Sequence, residues 1–224
     1  MHKNIVMFSQ AEENYIKAIY ALDTKTNKGV STNLIAEKMQ TKASSVTDML
    51  QKLSEKRLVI YKKYQGAQLS IKGKKIAASV IRKHRLWETF LVQKLNFSWD
   101  EVHDIAEQLE HIKSESLIDK LDDFLGYPTV DPHGDSIPDK NGNLPSIEKV
   151  VLSALQINES GICIGVRDSS SEFLRFLDKQ GIALGQKISV IAKESFDDSL
   201  TIKIENKELS ISQKIAHNLY LKTT

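Results

Sequence analysis

The sequence predicts a mainly α-helical chain with small β elements, and three observations carry that prediction. Apolar residues recur at helical spacing through most of the first 125 positions. Two short β-type runs round a glycine interrupt them near residue 60. Beyond a stretch that holds three of the four prolines, the texture changes from Lys149 onward to short β-type runs. We therefore expect three domains, at residues 1–72, 73–143 and 144–224.

Ser9-Gln-Ala-Glu12 has capping-box spacing, and Tyr15, Ile16, Ile19, Tyr20 and Leu22 follow as the stripe of a first helix. Turn-rich residues 24–29 end it. A short second helix starts near Ser31 and carries Leu34, Ile35 and Met39. The break over Gln40–Ala43 has the length of a helix-turn-helix turn. A third helix, expected from Ser44 or Ser45, carries Val46, Met49, Leu50 and Leu53 on one side. Its outward residues, among them Ser45, Thr47, Gln51 and Lys52, suit base edges and phosphates. Leu58–Tyr64 and Ala67–Ile71 read as strands round Gln65-Gly66. Three helices followed by a basic hairpin is the winged helix-turn-helix order.

Lys72–Leu95 reads as one long helix, more apolar than a single buried face needs, so part of it is expected to meet a second copy of the chain. A further helix spans the run from Val102 to Ile112, and another Ser114–Leu125, stopped by Gly126-Tyr-Pro128. After the proline-rich linker come β-type runs at Val150–Ile157, Ile162–Val166, Lys187–Ala192, Leu200–Ile204 and Lys207–Ser212, with a helical piece at Ser171–Lys179. They suggest a small, partly open β-barrel with no phosphate loop and no catalytic triad.

The bulk numbers exclude more than they identify. The chain has 224 residues, 41% of them hydrophobic, and no apolar run near membrane-span length. Its first ten residues lack a signal peptide's apolar core. The one cysteine, Cys163, has no partner for an internal disulfide. A soluble cytoplasmic protein is expected, without a membrane partner. The net charge of +2 hides an asymmetry: residues 1–75 hold 14 Lys/Arg against 6 Asp/Glu, and residues 98–148 hold 3 against 13. A basic front suits a phosphate backbone, and an acidic middle suits cations.

The chemistry concentrates between residues 84 and 111. On a helix, His103, Glu107, Glu110 and His111 would fall at about 0°, 40°, −20° and 80°, on one face. Val102, Ile105, Leu109 and Ile112 take the opposite arc. His84 and Glu88, four apart, make a second converging pair. A lone His-x3-Glu pair is more often a solvated face, but six such residues in two neighbouring runs point to a metal site. Imidazole and carboxylate without thiolate suit Mn(II), Fe(II) or Zn(II). Asp131-Pro-His133-Gly-Asp135 in the linker could also reach a metal.

These elements, in this order, resemble the diphtheria-toxin-repressor family of metal-dependent transcriptional repressors, including its manganese-transport-regulator branch. The motifs that carry the resemblance are Ala11-Glu-Glu-Asn-Tyr-Ile-Lys-Ala-Ile-Tyr20, Arg82-Lys-His-Arg-Leu-Trp-Glu88, His103-x3-Glu107-x2-Glu110-His111 and Asp131-Pro-His-Gly-x-x-Ile-Pro138. The resemblance implies an N-terminal winged helix-turn-helix, a helical dimerisation domain and an SH3-like C-terminal β-barrel. It implies a primary metal held by Glu107, Glu110 and His111, completed from the first helix by Asn14. It places His84, Glu88 and His103 at an ancillary site, with His133 and a carboxylate such as Glu172 contributing. Ser44, Ser45, Thr47, Gln51 and Lys52 would meet DNA, with Lys62 and Lys63 of the wing over phosphates. Asn14 stands where the family has Met or Asp, and Lys17 where manganese-specific relatives have a second acidic ligand.

The function so implied is a homodimeric repressor that binds double-stranded operator DNA when loaded with Mn(II), or alternatively Fe(II), and controls metal-uptake genes. Other divalent transition metals would substitute in vitro. No catalysis and no small organic substrate are expected. Two other readings share parts of the pattern: a metal-independent winged-helix regulator with an organic effector, and a dinuclear metallohydrolase, which leaves the winged helix unexplained.

Overall fold

The computed structural model describes residues 8–26, 29–62 and 65–223. The chain divides into two compact units. The first comprises Met1–His84, Glu110–Lys113 and Pro138–Asn143, and the second Arg85–Leu109, Ser114–Ile137 and Leu144–Thr224. Among the described residues no helix is long and apolar enough to cross a membrane.

The first unit is a winged helix-turn-helix. Helix α1 (Gln10–Thr26) starts at the expected capping box: the Ser9 N–H donates to Glu12 Oε2 at 2.9 Å, and the Glu12 N–H to Ser9 Oγ at 3.3 Å. Helix α2 (Thr32–Lys38) is capped by Ser31, whose hydroxyl accepts the Leu34 N–H. Helix α3 (Ala43–Glu55) begins just before the expected Ser44 or Ser45, with Lys42 at its N-cap. It turns Val46, Leu50 and Leu53 into a core shared with Ile16 and Ile19 of α1 and Ile35 of α2. The wing pairs β1 (Val59–Lys62) antiparallel with β2 (Gly66–Leu69), from Val59 opposite Leu69 to Lys62 opposite Gly66. Ala67 also bridges Val30. Ile71, expected in the second strand, instead opens helix α4 (Ile71–Leu95). Gly73 makes that turn possible, since a Cβ there would lie 2.2 Å from the Leu58 carbonyl oxygen.

The second unit contains α4 from Arg85 on, α5 (Val102–Leu109), α6 (Glu115–Phe124) and the C-terminal domain. Leu86, Ile118, Leu121 and Ile137 form a small core, against which Trp87, Phe90 and Leu125 pack. The C-terminal domain is one antiparallel sheet in the order β3-β8-β4-β5-β6-β7. Its strands are β3 (Val150–Val151), β4 (Ser160–Val166), β5 (Lys187–Lys193), β6 (Leu200–Ile204), β7 (Lys207–Ile211) and β8 (Leu219–Thr223). Helix α7 (Ser171–Gln180) places Leu174 and Leu177 in the same core as Ile188, Ile202 and Leu221.

Two sequence expectations fail here. Val150–Ile157 is a strand for only two residues and then a 3-10 turn, Leu152–Ala154. Helix α8 (Gln213–His217) and strand β8 went unread, although β8 sits between β3 and β4 and holds both. Its alternation is short and ends in Lys-Thr-Thr, so pattern alone gave little signal.

Candidate metal centre

Helix α5 stops at Leu109, so the expected single face of His103, Glu107, Glu110 and His111 does not form. His103 and Glu107 stay on α5 and are exposed, whereas Glu110, His111 and Lys113 lie in the turn before α6. The reason is tertiary: the turn residues are held by side chains of α1 and α4, and Ser114 then caps α6.

In the first unit, α1 and this turn build a chain of opposite charges. Glu110 is 1% exposed; its Oε2 lies 2.6 Å from Lys17 Nζ and 2.7 Å from His84 Nδ1. Its Oε1 faces His111 Nε2 at 3.8 Å. The other nitrogen of His111, Nδ1, is 2.6 Å from Glu13 Oε2, and Lys113 Nζ is 2.5 Å from Glu13 Oε1. Burial alone would raise the Glu110 carboxyl, but the His84 hydrogen bond and the Lys17 ammonium hold it below the usual carboxylate range. Glu13 fixes His111 as an Nδ1 donor, which leaves Nε2 as the basic nitrogen beside Glu110. Glu13 was not among the expected site residues. Its signal was available: it lies three residues before buried Ile16 and four before Lys17, on the inner side of α1. Asn14, the expected ligand of this helix, is exposed.

The second unit buries a different group. Glu88, Asp131 and His133 each offer a ligand atom, all within 4.8 Å of one another. Glu88 Oε2 lies 3.6 Å from His133 Nδ1, and its Oε1 lies 3.3 Å from His103 Nδ1. Asp131 Oδ1 accepts the N–H groups of His133 at 2.8 Å and Asp135 at 2.9 Å, while its Oδ2 is 3.4 Å from Arg85 Nε. His133 Nε2 donates to the Trp99 carbonyl at 2.8 Å. Burial would lower the His133 imidazole, yet Glu88 and Asp131 raise it to about 9. Burial, with Glu88 alongside, pushes the Asp131 carboxyl above the carboxylate range. The loop is pinned behind the site: the His133 carbonyl accepts the Val166 N–H at 2.9 Å. Gly134, at φ +81°, passes so close to β4 that a Cβ would sit 2.0 Å from the Ile164 carbonyl oxygen.

The remaining expected residues divide clearly. His84, assigned by the resemblance to the ancillary site, gives its Nδ1 to Glu110. Glu172 is exposed in the first turn of α7, bordering a shallow cleft with Lys214, outside the Glu88–Asp131–His133 group. On α3, Ser44, Ser45, Gln51 and Lys52 are exposed and Thr47 is half-buried, its hydroxyl donating to the Ala43 carbonyl. Lys52 also lies 3.3 Å from Glu12 Oε1. Lys62 is exposed at the end of β1, and Lys63 lies outside the described residues.

The donors present are carboxylate oxygens and imidazole nitrogens, with the carboxylates of Glu13, Glu88, Glu110 and Asp131 all buried, which fits a divalent first-row ion. Comparisons with known proteins point the same way. The family described as "Iron dependent repressor, N-terminal DNA binding domain" matches residues 7–67, and "Iron dependent repressor, metal binding and dimerisation domain" matches residues 70–139. A FeoA domain matches residues 150–223. The chain is 34% identical to the HTH-type transcriptional regulator MntR of Oceanobacillus iheyensis over 150 residues, 66% of this chain and 94% of that one. It is 37% identical to the MntR of Bacillus subtilis over 122 residues, 54% and 84% of the two chains. A solved manganese-dependent transcriptional repressor in complex with manganese superimposes with a TM-score of 0.83 at 32% identity, covering 95% of this chain and all of that one. Winged helix, buried donor clusters, C-terminal sheet and these relatives together show that the chain belongs to the iron-dependent-repressor family of the diphtheria-toxin repressor, a family of metal-dependent transcriptional regulators.

Proposed function

We propose that this protein is a metal-dependent transcriptional repressor, not an enzyme, that binds operator DNA as a homodimer when loaded with Mn(II), with Fe(II) as the alternative, and controls metal-uptake genes in the cytoplasm. One observation carries the reading: the first helix of the winged helix is tied through Glu13 and Lys17 to His111 and Glu110, inside one compact unit. Whatever binds at Glu110 and His111 therefore acts directly on the helix that supports α3.

The primary ion would be held by Glu110 and His111, with Asn14 and Glu107 completing the set as the resemblance implies. Glu88, Asp131 and His133, with His103 on the solvent side, would hold an ancillary ion; the resemblance adds His84 and Glu172 to that site. A bound divalent ion supplies a compact positive charge that several of these donors share. Around it, Glu13 keeps Nε2 of His111 basic, and Arg85 holds Asp131 in place. α3 presents Ser44, Ser45, Thr47, Gln51 and Lys52 to a major groove, and Lys62 and Lys63 of the wing meet phosphates. Exposed Leu117 and Phe124, seven apart on α6, and Tyr127 offer an apolar surface for the second copy.

Coupling between ion and DNA of about 1–3 kcal/mol would raise operator affinity roughly 5–150-fold. An electrophoretic shift on operator DNA tests this. The band should form with Mn(II) and fade with chelator; equal binding under both conditions rejects the proposal.

A further inference from the structure

A cation built into a metal-binding cluster competes with the ion that the cluster senses, because both need the same negative charge. Lys17 is placed to do this. Its ammonium lies 2.6 Å from Glu110 Oε2 and 3.3 Å from His84 Nδ1. Glu110 is almost wholly buried, so its charge needs a partner within the fold. Lys17 supplies one while keeping 22% of its side chain exposed, so its ammonium can withdraw towards solvent on a flexible stem. The other oxygen, Oε1, faces His111 Nε2, so the ammonium sits across a single carboxylate from the donor pair an ion would use.

We propose that Lys17 is a tethered competitor for the divalent ion at Glu110: it neutralises that carboxylate in the metal-free chain, weakens ion binding, and so sets the concentration at which the site fills. This rests on the metal-sensing reading above. It makes the lysine a positioning and affinity-setting residue, not a ligand. It also requires opposite effects of Lys17 on the two states of the protein, which simple packing does not.

The test uses the full chain, with Lys17→Gln removing the charge but keeping hydrogen bonding, and Lys17→Arg keeping the charge. Calorimetric titration with Mn(II) should show Lys17→Gln binding at least about ten-fold more tightly than the parent, and Lys17→Arg within about three-fold of it. Thermal unfolding should show Lys17→Gln melting lower than the parent without metal and gaining more from added Mn(II). If Lys17→Gln does not fold, Lys17→Met, which keeps the stem, serves the same comparison. Mn(II) affinity of the uncharged variant equal to or weaker than the parent's, while His111→Ala abolishes binding, overturns the role of Lys17 and leaves the metal site standing. Absence of Mn(II) binding in the parent and every variant overturns the metal reading and this proposal with it.

Discussion

The two buried clusters solve the same problem by different means. In the first unit, Glu110 and Glu13 are paired with side chains: Lys17 and His84 on one, His111 and Lys113 on the other. In the second, Asp131 is held mainly by backbone, through two N–H groups of its own loop, with Arg85 behind it and Gly134 pressed against β4. Long, partly exposed lysines exchange partners cheaply, whereas a carboxylate bonded into its own turn moves only if the turn unfolds. The first arrangement suits a responsive site and the second a fixed one.

The largest effect that tests this contrast is on stability. Asp131→Ala takes the acceptor from the buried His133 N–H and the half-buried Asp135 N–H and leaves Arg85 to Ser136 and Asp135, and should cost about 3 kcal/mol in urea unfolding. Glu110→Gln keeps an acceptor beside a lysine that can reach water, and should cost less than half as much. A larger loss from Glu110→Gln than from Asp131→Ala would reverse the comparison.

Next in size is the pH dependence, which should run in opposite directions for the two units. His133 is raised from 6.5 to about 9, so its stabilisation is complete below pH 6.5 and lost as pH rises towards 9. Glu12 is pulled from 4.5 to about 2: burial would raise it, but Lys56, the Ser9 N–H and Lys52 outweigh that. Its contribution is present above pH 4.5 and lost as pH falls towards 2. Each limb should be of the order of 2 kcal/mol, and less for Glu12 because its lysine partners are screened. Thermal melts across pH should lose their alkaline limb in His133→Gln and their acid limb in Glu12→Gln.

Smaller again is Glu13→Gln. With His111 no longer held by a carboxylate, Mn(II) affinity should fall about 10–100-fold by calorimetry, with little change in the far-ultraviolet dichroism. The smallest effect is local: Ser9→Ala removes the cap of α1 and should cost about 1 kcal/mol in urea unfolding.

Most of the fold was legible because its signals are local. Ser9 with Glu12, Ser31 before Leu34, and the stripe Val46, Leu50 and Leu53 predicted helices that the structure contains. The site was legible in composition but not in arrangement. Spacing alone put His103, Glu107, Glu110 and His111 on one helix face, and the helix ends before the last two. In sequence Lys17 is a departure from the family's ligand pattern, while its pairing with Glu110, 93 positions away, lies beyond any periodicity. The signal of Glu13 is ambiguous in sequence, because a carboxylate in the first turn of a helix is also favoured by the helix dipole.

The sequence by itself determined most of the helices, the wing, the change to a β-rich end and the donor chemistry, since each depends on residues within a few positions of one another. Only the tertiary structure decided which donor meets which. The Lys17–Glu110, Glu13–His111 and Glu88–His133 pairs are long-range contacts, set by how the elements pack and by the need to neutralise each buried charge.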